Sequence, residues 1–147
     1  MSDLEDRLAI FDLIARYSHT IDGRDYDAWV NCFVPEGTLV SAMGTSSGHS
    51  ALRKFAADYE KARAKMPNAR HFMTNIAVSI EGDTAKSRSY VQITTSEPKG
   101  VRVLFTGQYD DKLERVDGEW KFRERRGIPD TSVAESAAHR ASQASGQ

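Results

Sequence analysis

The chain lacks most of the features that announce a functional class. It has one cysteine, Cys32, among 147 residues. No internal disulfide can form, which fits a reducing compartment or simple indifference to redox conditions. No apolar run approaches the roughly 20 residues of a membrane span. The opening run Met1-Ser2-Asp3-Leu4-Glu5-Asp6 is acidic and has no apolar signal core, which points to a cytoplasmic protein. Twenty basic residues against 21 acidic ones leave a formal net charge of -1. That balance offers no field suited to nucleic acid or to an acidic membrane surface. Gly44, Gly48 and the serines around them match no phosphate-binding loop, and no nucleophile elbow is present.

What remains is one domain's worth of chain, over residues 1–132, with an Ala-, Ser- and Gln-rich stretch at 133–147 read as a flexible tail. A domain of this size buries roughly 70% of its unfolded surface. Helical spacing links Leu4, Leu8, Phe11, Ile14 and Tyr17 over residues 3–21, with Ile10, Leu13 and Ile21 widening the face and Gly23 as the stop. A short helix is expected over 25–33 and a third over 50–65, the latter burying Leu52, Phe55, Ala56 and Tyr59. From Phe72 the period changes to two. Turns at Gly82-Asp83, Pro98-Lys99-Gly100 and Asp117-Gly118 separate four strands, with Gly107 as a bulge or bend. Three helices followed by a mostly antiparallel sheet predict an α+β domain, with helices on one face of a curved sheet.

Few residues could carry chemistry. His71 opens the first long strand, and its alternation places it with Met73 and Asn75, away from Phe72, Thr74 and Ile76. It is either a core histidine satisfied by one hydrogen bond or an acid–base group. Tyr17 and Asp22 are the polar groups that the first helix delivers to the interior. Tyr17 could simply close the core, and Asp22 could simply form the turn before Gly23; Asp22 could instead fix the tautomer of His71. The two lie about 140° apart on an ideal helix, so a common pocket requires the helix to turn near Ile21. Ser18 and His19 are expected to point elsewhere, with His19 on the surface or rim. Arg126 shares a face with Trp120 and Phe122, which makes it, rather than Arg125, the inward arginine. It would cap the sheet edge or pin an anionic group or carbonyl. A metal held by His19, Asp22 and His71 is the less favoured arrangement, because His19 points away.

Taken in order, Ile14-Ala15-Arg16-Tyr17 with Asp22, Trp29 with Phe33, Arg70-His71-Phe72-Met73-Thr74-Asn75, Ser87-Arg88-Ser89-Tyr90, Gly107-Gln108-Tyr109 and Asp117-Gly118-Glu119-Trp120 resemble the SnoaL-like branch of the nuclear transport factor 2-like superfamily over residues 3–130. The resemblance implies a cone: a curved mixed or antiparallel sheet wrapped around three N-terminal helices and enclosing a pocket. It also implies chemistry of the scytalone dehydratase, bile acid dehydratase and lindane dehydrochlorinase kind, without a cofactor. Asp22 and His71 would form the Asp–His dyad, and Tyr17 would hydrogen-bond a carbonyl or leaving group. Trp29, Phe55, Met73, Asn75, Tyr90 and Arg126 would line the substrate site.

Two functions follow as expectations. One is a cofactor-free lyase or isomerase acting on an apolar ring compound. The other is a non-catalytic ligand-binding or accessory subunit, in which Asp22–His71 is a structural pair. A closed pocket with both residues on its wall would favour the first, and a filled cone the second. Exposed apolar side chains on the outer face of the sheet, at Val91 and Ile93 or their neighbours, would mark a homodimer or homotrimer.

Overall fold

The structure is a computed structural model, and it describes residues 2–132, 135, 141 and 142. Most of the tail expected at 133–147, including His139, lies outside the described residues. Helix α1 (Asp3–Asp22) starts on a capping box: Ser2 Oγ accepts from the Glu5 N–H, and Glu5 accepts from the Ser2 N–H. Helix α2 (Tyr26–Val30) is capped by Asp25 and is shorter than its pattern suggests. Strand β1 (Phe33–Ser41) follows, then β2 (Gly44–Ser47), then helix α3 (Gly48–Arg63). The small-residue run after Ser41 thus forms a hairpin with β1, with Val40 opposite Thr45. Strands β3 (Arg70–Glu81), β4 (Thr84–Glu97), β5 (Gly100–Val116) and β6 (Glu119–Pro129) complete one six-stranded sheet in the order β2-β1-β6-β5-β4-β3. Every pair is antiparallel except β1 with β6. No described helix is long and apolar enough to cross a membrane.

The core fills the hollow of the sheet. Trp29, Phe33, Leu52 and Phe122 are wholly buried there, with Ile10, Leu13 and Ile14 from α1. The buried stripe of α1 is Asp6, Ile10, Leu13, Ile14, Tyr17 and Ile21, rotated from the expected one. Leu4, Leu8 and Phe11 are exposed instead. The reason is Asp6, whose Oδ1 accepts from the Trp120 indole N–H at 2.8 Å and from Arg115 at 2.9 Å. A buried carboxylate with two such donors is satisfied, so the sheet holds that face of the helix inward.

Three bulges set which side chains face the core. In β3 one extra residue lies between the pairs Thr74–Tyr90 and Ala77–Arg88, and Asn75 adopts a left-handed φ of 53° there. Alternation flips at that point: His71 and Met73 face inward before it, and Ile76, Val78 and Ile80 after it. Asn75 therefore does not share the face of His71, and it is exposed. In β5 an extra residue lies between Val103 and Phe105. Gly107 is not the bulge; a Cβ there would sit 2.3 Å from the Ile128 carbonyl oxygen, so its hydrogen is a packing requirement. In β6 an extra residue falls between Phe122, opposite Leu113, and Glu124, opposite Lys112.

The β6 bulge corrects the arginine assignment. After Trp120 and Phe122, the next inward side chain is Arg125, wholly buried, while Arg126 points to solvent and approaches Glu124 at 3.6 Å. Exposed ion pairs contribute little, on the order of 0–1 kcal/mol. We expect Arg126→Gln to change the urea midpoint by less than the scatter between preparations; a loss of about 2 kcal/mol or more would contradict this placement. Strand β4 also faces opposite to expectation: Val91 is buried and Tyr90 is 57% exposed. The exposed apolar groups of the outer face are the neighbours Phe72 and Tyr90 rather than Val91.

Candidate functional site

The site is built where the C-terminal end of α1 meets the start of β3. β3 is an edge strand, and α1 covers its free polar groups at both ends. Arg7 Nη1 donates to the Val78 carbonyl at 2.9 Å, and Asp22 Oδ2 accepts the His71 backbone N–H at 2.8 Å. The other carboxylate oxygen, Oδ1, lies 2.7 Å from His71 Nδ1. The His71 side chain is 5% exposed and that of Asp22 18%. A carboxylate only accepts, so Nδ1 carries the proton and Nε2 of neutral His71 is left with its lone pair. The hydrogen bonds of His71 among the described residues are those of its backbone N–H and Nδ1, both to Asp22.

Helix α1 does not unwind to bring Tyr17 and Asp22 together. It stays regular through Asp22, and the chain turns only at Arg24, with φ 64°. Gly23 is needed for close approach, since a Cβ there would meet the His19 carbonyl oxygen at 2.8 Å. The His71 ring bridges the angular gap instead. Asp22 holds its Nδ1 edge, and Tyr17 packs edge-on against it with centroids 6.4 Å apart. Tyr59 of α3 lies 6.2 Å from the same ring, and its buried hydroxyl has no partner among the described residues.

Behind Tyr17 stands a buried ion pair that the sequence did not reveal. Arg125 Nε and Nη2 each donate to Asp111 at 2.8 Å, and Ser87 Oγ donates to the same carboxylate at 2.9 Å. The guanidinium lies over the rings of Tyr17, Tyr109 and Phe122, 4.1 to 4.3 Å from their centroids. Burial alone would lower the Arg125 pKa, but the Asp111 charge and hydrogen bonds raise it on balance, so it stays charged. Arg125 Nη1 also approaches Met73 Sδ at 3.6 Å.

Burial raises the pKa of Tyr17, Tyr59 and Tyr109 above the usual phenol value. These phenols are therefore neutral dipoles at physiological pH. The unfolded chain loses their protons near pH 10 and the folded chain does not. Stability is thus unaffected below about pH 10 and falls as pH rises beyond it, by up to about 1.4 kcal/mol per pH unit for each phenol. Urea unfolding at pH 9, 10 and 11 should show that drop; a flat midpoint would contradict it.

A cleft of about 1210 Å³ opens between α1 and β3, with Asp22 and His71 on its wall. It is open along its length rather than enclosed, and it exceeds the roughly 300–1,000 Å³ of ordinary ligand sites. Met73 lines it, and so do Ser18 and His19, contrary to expectation. Ser18 and His19 lie one turn before Asp22, on the side of α1 that faces the edge strand. Trp29 and Phe55 stack on each other in the core at 5.6 Å and do not line this cleft; neither do Tyr17, Asn75, Tyr90 or Arg126. No group of three or more potential metal ligands occurs among the described residues, so His19 does not join Asp22 and His71 as a metal-binding set.

Comparison with known proteins places this architecture. Residues 2–126 match the SnoaL-like domain. An uncharacterized protein of Mycobacterium tuberculosis, Rv2910c, is 30% identical over 129 residues, spanning 85% of this chain and 86% of its own. Rv3472 of the same species, also of unknown function, superposes with a TM-score of 0.79 at 32% identity, covering 90% of this chain and 81% of that one. An NTF2-like protein with a cystatin-like fold from Novosphingobium aromaticivorans superposes with a TM-score of 0.79 at 26% identity, covering 91% and 88%. The α+β cone, its mixed six-stranded sheet and the family match agree, and the chain belongs to the SnoaL-like domain family of the NTF2-like fold.

Proposed function

We propose that this protein is a small-molecule lyase or isomerase whose proton transfer uses its own side chains, acting on an apolar ring compound that bears a carbonyl or a leaving group. The observation that supports this reading is the double hold of Asp22 on His71. One oxygen fixes the backbone and the other fixes the Nδ1 proton, so Nε2 is a base with defined position and tautomer. Nε2 takes a proton from the carbon beside the activating group. The C–H electron pair becomes the new double bond. In an elimination the leaving group departs with its bonding pair, as water once His71 returns the proton, or as halide. In an isomerisation the proton returns to another carbon.

Tyr17 supplies a neutral phenol at the ring of His71, and Arg125 lies directly behind it. Tyr17 is buried off the cleft wall, so its phenol bears on the His71 ring from behind rather than on the substrate. Arg125 in turn fixes the position of Tyr17 and does not take the substrate-pinning role expected of Arg126.

The test is exchange of acidic C–H protons of cyclic ketones into deuterated water, followed by proton NMR, with wild type and His71→Ala. General base catalysis contributes on the order of 100- to 10,000-fold, and His71→Ala should lose that factor while remaining folded. Equal exchange by the two proteins would sink the assignment. A non-catalytic binding or accessory subunit is the second reading. It is favoured by the bond from Asp22 to the edge backbone and by the aromatic filling of the cone. On that reading His71→Ala changes stability alone.

A further inference from the structure

The proton transfer leaves one role unfilled. Tyr17 and Arg125 do not line the cleft, so neither reaches an oxygen that gains charge there. A main-chain group on the edge of β3 stands free for it. Facing residues of an antiparallel ladder alternate between pairs that exchange both N–H···O bonds and pairs that exchange none. The His71 N–H ends on Asp22, so His71, opposite Ile93, belongs to the second kind. Two residues on, Met73, opposite Val91, repeats that phase. Its N–H and C=O therefore point away from β4, to the free edge of the sheet.

Side chains of α1 take two main-chain groups of this edge, the N–H of His71 and the carbonyl of Val78. No other side chain bonds the β3 main chain among the described residues. The Met73 N–H lies between these two clamps, about 7 Å along the strand from that of His71. Met73 and His71 both line the cleft, and their side chains face the same way. Across the cleft, Ser18 turns its hydroxyl back to the Ile14 carbonyl of its own helix at 3.5 Å. An N–H at such an edge must meet water or a ligand.

We propose that the Met73 N–H binds the carbonyl oxygen of the substrate and holds the charge that develops on it. His71 Nε2 takes the proton from the neighbouring carbon. The C–H electron pair forms the new C=C bond, and the C=O pair moves onto the oxygen at Met73. The strand fixes this donor in place, so it need not reorganise as charge grows. The carbonyls of His71 and Met73 share the edge and only accept, which makes this N–H the main-chain donor beside the base. An apolar ring that drives water from the cleft leaves the N–H unpaired unless the ring carries an acceptor. The site therefore favours ring compounds activated by a carbonyl over those that carry a leaving group alone. The inference rests on the proposed reaction for its catalytic meaning; the binding of an oxyanion does not depend on that reaction.

The experiment titrates isotopically labelled protein at pH 6.5 with 2,4-dinitrophenolate, whose ionised oxygen stands in for the enolate, and with 1,3-dinitrobenzene, which lacks that oxygen. In wild type the Met73 amide proton should exchange with solvent faster than that of Phe72, whose pair with Gln92 is of the bonded kind. It should move downfield with the phenolate and not with dinitrobenzene. Met73→Ala and Met73→Pro both lose the side chain, but only proline loses the N–H, and an edge position tolerates it. Preference for the phenolate should be roughly tenfold or more weaker in Met73→Pro than in Met73→Ala, as expected for a lost hydrogen bond to a charged group. A Met73 amide as protected as that of Phe72, or unmoved by the phenolate, would overturn the proposal. So would equal preference in the two variants, or no binding of the phenolate at millimolar concentration. The amide is read in wild type, so a proline variant that fails to fold leaves the test intact. No proton transfer is read, so this result and that of His71→Ala can fail separately.

Discussion

Asp111→Ala should cost about 3–5 kcal/mol of folding stability, the range found when one partner of a buried ion pair is removed. Arg125 is wholly enclosed, and its Nε and Nη2 donors both end on Asp111. Without that carboxylate a charged guanidinium remains among Tyr17, Tyr109 and Phe122. Ring faces offset part of that charge but accept none of the lost hydrogen bonds. For a domain of this length each kcal/mol lowers the melting temperature by roughly 2–4 °C, so the loss should appear as about 10 °C. The double variant Asp111→Leu with Arg125→Met removes both charges at similar volume and should recover most of the stability. Calorimetry of the two variants is the check. A double variant no better than Asp111→Ala would show that shape, not charge, dominates this part of the core.

Asp22→Asn should leave the protein folded and lower turnover by about 100- to 10,000-fold. The reason lies in how few ways an amide can sit in this place. The backbone N–H of His71 can only donate, so the amide oxygen must take the position of Oδ2. The amide NH2 group then faces Nδ1, which must become an acceptor. The imidazole proton moves to Nε2, and the base is lost while the edge hydrogen bond survives. Asp22→Ala removes both contacts and should lose stability as well. Turnover and urea midpoints measured together separate the cases: an Asn variant that is stable and fully active would dismiss the tautomer argument.

Element order was legible because it depends on periodicity and turn residues. The change to period two near Phe72, and the turns at Gly82-Asp83 and Asp117-Gly118, are local signals that tertiary packing did not overrule. The Asp22–His71 pairing was legible as one chemical option, a carboxylate that could fix a histidine tautomer, and the resemblance singled it out, since nothing local joins residues 49 positions apart. What could not be read was phase. α1 contains two overlapping apolar stripes, and Asp6, polar by type, decides between them by finding Trp120 and Arg115. In β6 the extra residue lies in the run Arg123-Glu124-Arg125-Arg126, where no glycine or asparagine marks it. In β3 a signal existed: asparagine tolerates the left-handed region better than most residues, and Asn75 occupies it. Tyr59 went unnoticed as a neighbour of His71 because on a helix it reads as an ordinary core position.

The bulges also bear on how such a cleft could diverge. Changing Met73 or Ile76 alters one contact at a time. Deleting Asn75 would instead remove the bulge alone: Thr74 and Ala77 keep their partners Tyr90 and Arg88, and Ile76 and Val78 stay inward. A deletion of Arg123 would likewise regularise β6, with Phe122 and Arg125 still inward opposite Leu113 and Asp111. A one-residue change of length is therefore absorbed at these two bulges, whereas the same change inside a regular stretch of either strand would reverse the facing of the residues beyond it.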